Sequence, residues 1–73
     1  MNVYILVKWT YDKSTFINVF GNLQEARASA QSFEAVTLVW SNGYTSAIHY
    51  AKVPDEEDDI WYTIYEKPIN IGE

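Results

Sequence analysis

Alternation with a period of two residues, repeated along a very short chain, is the feature that most limits what this sequence can become. Val3, Ile5, Val7, Trp9 and Tyr11 alternate with Tyr4, Leu6, Lys8 and Thr10, the pattern of a strand whose successive side chains point to opposite faces. Ile60, Tyr62 and Ile64 alternate in the same way with Trp61, Thr63 and Tyr65, and Pro68 ends that run because it cannot donate to a strand ladder. Both phases of each run are rich in apolar side chains. The expectation is a sheet with two apolar faces, in a chain that has little else to build with.

A second strand follows the first across the polar turn Asp12-Lys13-Ser14-Thr15, since Phe16 to Phe20 is β-branched and aromatic and Gly21 closes it. Helical periodicity occurs once. Asn22 and Glu25 fit a variant of the capping box, and Leu23, Ala26, Ala30 and Phe33 then recur at spacings of three, four and three, one narrow apolar stripe over about three turns. Val36 to Ser41 reads as the next strand. Asn42-Gly43 after it is the pair that a two-residue type I′ hairpin turn favours. That turn would set Ser41 against Tyr44, Trp40 against Thr45, Leu38 against Ala47 and Val36 against His49. The predicted class is α+β: one domain spanning residues 1–73, with element order β-β-α-β-β-β, a mainly antiparallel sheet and the helix on one face. Residues 69–73 are expected to fray.

One helix covers one side of a sheet. The side predicted to be covered carries Val3, Ile5, Val7, Leu38, Ala47, Ala51, Ile60, Tyr62 and Ile64. The side left open would then carry Tyr4, Leu6, Val39, Tyr44, Ile48, Tyr50, Trp61 and Tyr65, more apolar surface than soluble monomers usually expose. Tyrosine and tryptophan also dominate interface hot spots, because each joins a large apolar body to a polar tip. Tyr44, Tyr50, Trp61 and Tyr65 are therefore the predicted contacts to a second copy or another protein. The competing reading is a strongly curled sheet whose aromatics cover one another.

Length and composition sharpen this. A chain of 73 residues without cysteine has no disulfide, thiolate nucleophile or cysteine-bound metal, so self-association is the stabilising device left to a core this small. The formal charge of −5 resides in Asp55, Glu56, Glu57, Asp58 and Asp59, because five bases and five acids balance elsewhere. No basic patch exists to neutralise phosphates, which argues against direct nucleic-acid binding and against an anionic membrane surface. The apolar run Val3 to Val7 is too short to span a bilayer and lacks the marks of a signal peptide, so a cytoplasmic location is expected.

Candidate chemistry is sparse. Asp55, Glu57, Asp59 and Glu66 fall on calcium-loop spacing, but Ile60 stands where the loop needs glycine and both flanks read as strands. No metal or cofactor is expected. The acidic run could mimic phosphates to a basic groove, or could simply keep an adjacent strand soluble, and its five acids join the aromatics as predicted partner contacts. His49 is the one histidine and is expected to be packed at the sheet margin. No serine elbow, glycine-rich phosphate loop or carboxylate pair accompanies it, and the expectation is a chain that is not an enzyme. Tyr44, Tyr50, Trp61 and Tyr65 could stack bases, but stacking proteins pair such rings with a positive groove. A small nucleotide held between protomers is the alternative ligand reading.

Phe20-Gly21-Asn22-Leu23-Gln24-Glu25-Ala26, leading into a short alanine-rich helix between two hairpins, resembles the build of small accessory proteins encoded by bacteriophages. That resemblance implies a non-catalytic protein of the host-cell cytoplasm that inhibits or redirects a host factor such as a nuclease, a polymerase subunit or a defence component. It assigns no residue a role.

Overall fold

A computed structural model of the chain describes residues 1–54 and 60–69. The acidic run Asp55 to Asp59 and the end of the chain from residue 70 lie outside the described residues. The elements are β1 (Asn2–Trp9), β2 (Ser14–Phe20), α1 (Leu23–Ser32), β3 (Ser41–Asn42), β4 (Ile48–Lys52) and β5 (Trp61–Pro68). The strands form one antiparallel sheet in the order β2-β1-β5-β4-β3, with α1 against β1, β2 and β5. The α+β class, with a single helix and a five-stranded antiparallel sheet, is the class the periodicities imply.

The helix starts where its cap chemistry demands. The Glu25 N–H donates to Asn22 Oδ1 at 2.8 Å, and Asn22 Nδ2 donates to Glu25 Oε1 at 2.8 Å, a reciprocal lock worth about 1 kcal/mol. Ala26 and Ala30 are fully buried and bring the helix close to the sheet. Phe33, expected to complete the apolar stripe, instead caps the helix C-terminus and stands exposed.

Three expectations are corrected. First, β1 is turned over relative to the sheet. Leu6 lies opposite Ile64 and is fully buried under the helix, with Tyr4 packed beside it, while Ile5 lies opposite Tyr65 on the uncovered side together with Val7 and Trp9. Alternation could not choose between two apolar phases. The strip beneath α1 is narrow, and Lys8 at its edge lays its stem along the core and places Nζ 5.8 Å from the Tyr62 ring centre, as long cationic side chains do. Tyr4 and Leu6 therefore leave the open face, and Val3, Ile5 and Val7 join it.

Second, the two-residue turn does not form. Ser41 pairs with Tyr50 and Asn42 with His49, so residues 43–47 make a longer loop. The Gly43 N–H donates to Ile48 O at 2.8 Å, and Asn42 Nδ2 reaches Ser46 O and Ile48 O at 3.4 Å each. Asn42 thus braces the loop from its flank. A Cβ on Gly43 would lie 3.0 Å from Ile48 Cγ2 and 3.3 Å from Ile48 Cβ, so any larger residue there would press on Ile48.

Third, only Ser41 of the expected strand 36–41 joins the sheet, together with Asn42 from the expected turn. The preceding backbone finds its partners in a helix side chain. Gln31 Nε2 donates to Val36 O at 2.7 Å and to Glu34 O at 3.3 Å, and its Oε1 accepts from the Leu38 N–H at 2.9 Å. Leu38 is buried, whereas Val39 is exposed on this segment and contributes nothing to the open face.

Leu6, Tyr62, Ile64 and Val53 are the largest fully buried side chains, and Tyr62 Oη donates to Glu34 Oε2 at 2.7 Å. Ile69, expected to fray, donates its N–H to Met1 O at 2.8 Å.

Candidate functional site

The uncovered side of the sheet is ordered by cross-strand pairing. Trp9, Trp61 and Lys52 form one row across β1, β5 and β4; Val7, Thr63 and Tyr50 form the next; Ile5, Tyr65 and Ile48 form the third. Thr63 is the smallest member of its strand face and sits between two large rings, so a depression opens above it. It is buried even though no helix covers it. The β1–β2 turn, closed by the Thr10 N–H on Lys13 O at 2.8 Å, supplies Tyr11. The 43–47 loop supplies Tyr44.

The result is an open trough of about 920 Å³ walled by Trp9, Tyr11, Tyr44, Tyr50, Trp61 and Tyr65, with Thr63 and Ile48 in its lining. The Tyr50 and Trp61 rings are tilted by 52° with centres 5.7 Å apart, a favourable aromatic geometry. Lys52 Nζ lies 5.7 Å from the Trp61 ring centre at one end. Six rings offer faces for stacking and tips for hydrogen bonding. Among the described residues, the lining has no carboxylate, imidazole or thiol, and so they supply it with no ordinary acid, base or nucleophile for neutral pH. Among the described residues, no cluster of three or more His, Asp or Glu side chains could hold a metal ion.

All four aromatic residues singled out in the sequence, Tyr44, Tyr50, Trp61 and Tyr65, meet in this trough. Tyr44 arrives there from a loop rather than from a strand. Asp55, Glu56, Glu57, Asp58 and Asp59 lie outside the described residues, as does the calcium-loop spacing built on them. Trp9 and Tyr11 were missed because their phase of β1 was assigned to the helix side. Only the pairing of Trp9 with Trp61 reveals them, and that pairing is not a local signal.

No protein-family model, curated relative or solved structure matches the chain.

A second cluster lies on the helix side. His49 is only 8% exposed and its Nε2 is buried without a hydrogen-bond partner, as is Arg27 Nε. His49 Nδ1 lies 3.2 Å from Asn42 Nδ2, and the Arg27 guanidinium sits 5.8 Å from the Trp40 ring centre. Burial, reinforced by the nearby Arg27 charge and opposed by Glu66, holds the His49 pKa below its ordinary value. This favours a neutral imidazole packed in the structure. Tyr62 is shifted the other way: burial and its bond to Glu34 raise its pKa well above the ordinary tyrosine range.

Proposed function

We propose that this chain is a non-enzymatic interaction module whose working surface is the aromatic trough on the uncovered side of its sheet. The observation that carries the reading is the convergence of six aromatic side chains, drawn from two strand ends, two loops and two strand interiors, on one depression that has no acid–base pair among the described residues. Apolar bodies with polar tips at a concave centre form the composition expected of a binding hot spot. In this reading the chain acts stoichiometrically, by occupying or remodelling a protein partner. Inhibition or redirection of a host nuclease or defence factor in the cytoplasm, as for the phage accessory proteins it resembles, is one such role. Contact with nucleic acid through this face is disfavoured, because the strand residues on it carry charge only at Lys52 and Lys67 and a stacking platform needs a positive groove.

The trough's volume supports a second reading. About 920 Å³ lies within the range of small-molecule sites, so a planar ligand such as a nucleotide base could be held between the rings.

Both readings are tested with the immobilised chain and its Trp61→Ser and Tyr11→Ser variants, compared in host-cell extract and against a panel of nucleotides, with far-UV circular dichroism to confirm folding. A partner or nucleotide retained by the wild type and lost by both folded variants is the expected result. Equal retention by all three would remove the trough from the function.

A further inference from the structure

Taking the trough as the contact surface, the geometry points to a second copy of this chain as its occupant. The two copies would pack open face to open face about a two-fold axis, with the Tyr44 and Tyr11 rings of each projecting into the trough of the other. The exposed aromatic area suits such a contact. Trp9, Tyr11, Phe16 and Tyr44 are 41%, 88%, 61% and 102% exposed. Phe16 lies opposite Val7, on the same side of the sheet as the trough. Together these four leave almost three whole aromatic side chains uncovered, about 440–730 Å² at the usual area of such rings. The half-buried Ile5, Val7 and Ile48 on the same face add to it. That approaches the roughly 800 Å² per partner of a stable interface and lies at or above the roughly 300–600 Å² of the largest patch on a typical monomer.

The face is also self-complementary. A two-fold contact uses one surface patch twice, so that patch must hold both the knob and the hole. Here the hole is the depression over the buried Thr63, and the knobs are the almost wholly exposed Tyr11 and Tyr44 at its margins. Charge agrees. Strand residues on the face carry none at its centre, and Lys52 lies in the outermost β4–β5 pair and Lys67 near the end of β5, matching the charge-poor core and polar rim of protein interfaces. The product would be a four-layer assembly, helix, sheet, sheet, helix, with the sheets about 10 Å apart. The tyrosine tips would reach the wet rim. Two small cores would then share one larger apolar interior, the device that remains to a chain without disulfides.

Sedimentation equilibrium and light scattering over a concentration series test this. Twice the 8.5 kDa chain mass is expected for the wild type at micromolar concentration. Tyr44→Ser removes a ring that touches no core residue, so the fold survives while the dimer dissociation constant weakens by about tenfold or more. In a mixture of isotope-labelled and unlabelled chains, Tyr44 ring protons should show intermolecular contacts to the Thr63 methyl. A wild type that stays at the single-chain mass throughout overturns the inference, as does a dimer unaffected by both Tyr44→Ser and Tyr11→Ser. A single-chain mass combined with trough-dependent capture of another protein would sink self-association alone and leave the interaction module standing. A single-chain mass without such capture would sink both.

Discussion

Which face of β1 the helix covers determines the composition of the trough, and a pair of substitutions decides it. Leu6 is fully buried opposite Ile64, whereas the adjacent Ile5 is half-buried on the uncovered side opposite Tyr65. Leu6→Ala removes an isobutyl group from beneath α1. The lost transfer energy plus the cavity left between Ile64 and the close-packed Ala26 and Ala30 should cost about 3 kcal/mol. Ile5→Ala leaves no enclosed cavity and loses only partly buried methylenes, about 1 kcal/mol. A domain of 73 residues has roughly 4–11 kcal/mol in total, so the first change consumes a large share of its stability and the second a small one. Urea unfolding followed by far-UV circular dichroism should show the midpoint falling by about 2–3 M for Leu6→Ala and by about 1 M or less for Ile5→Ala. The melting temperature should fall by roughly 12–24 °C for the former. Repeating the melts over a tenfold dilution separates self-association, since a contribution of Ile5 to an interface depends on concentration and the buried Leu6 does not. An Ile5→Ala variant at least as destabilised as Leu6→Ala would mean that the odd-numbered phase of β1 faces the helix, and Trp9 and Tyr11 would then have no place in the trough.

Three further outcomes follow from single contacts. Tyr62→Phe removes the donor to Glu34 Oε2 and should cost about 1–2 kcal/mol in urea melts, since the carboxylate loses a buried partner but can still reach water. Gln31→Ala strips the 34–38 segment of its three side-chain hydrogen bonds; the Leu38 amide should exchange with deuterium at least tenfold faster while β1 and β5 amides stay protected, and uniform loosening of the sheet would refute that assignment. His49 gives a pH dependence whose sign is set by its lowered pKa. The unfolded chain takes up the proton first, so stability is full above the ordinary value of 6.5 and falls as pH drops through it towards the lower folded-state value. His49→Leu should flatten the slope of the urea midpoint between pH 8 and pH 5.5, at values chosen for the test, and an unchanged slope would place the titrating group elsewhere.

What the sequence made legible was local. The Asn22–Glu25 lock acts across three residues and could be read before any tertiary contact was known. Tyr50, Trp61 and Tyr65 could be placed on one face because β4 with the residue after it, and β5, each have one phase with a distinct character: Ala51 and Val53 in one, Tyr62 and Ile64 in the other, both buried together. The phase of β1 was not legible. Val3-Tyr4-Ile5-Leu6-Val7 is apolar on both sides, and the choice is made by Ile64 and Tyr62 almost sixty residues away. The fate of residues 36–40 was hidden for a related reason. Their composition suits a strand, but Gln31, projecting from the helix, satisfies the backbone groups that β4 would otherwise have paired. Once that segment is held off the sheet, the short hairpin implied by Asn42-Gly43 cannot close, and Asn42 becomes a brace for the loop that carries Tyr44.

The turning over of β1 also bears on what the open face is for. It sends the aliphatic Leu6 to join Ile64, Val53 and the helix alanines in the covered core and places the strand's tryptophan opposite Trp61 on the other side. The two sides of the sheet thereby differ in kind. The fully buried centre of the covered side is mainly aliphatic, and the one ring there, Tyr62, has its hydroxyl bonded to Glu34, while Tyr4, Phe20 and Trp40 pack half-buried around it. The trough on the uncovered side gathers six rings whose edges carry N–H or O–H groups, with Phe16 alone on its flank lacking one. Aliphatic side chains suit a surface that is always dry, because nothing in them can be satisfied by water. Tryptophan and tyrosine suit a surface that must be soluble alone and must still gain from being covered, since their tips hydrogen-bond to solvent in one state and to a partner or rim water in the other. This division of side-chain types across one small sheet favours a face that alternates between free and occupied states over one kept only to stabilise the fold.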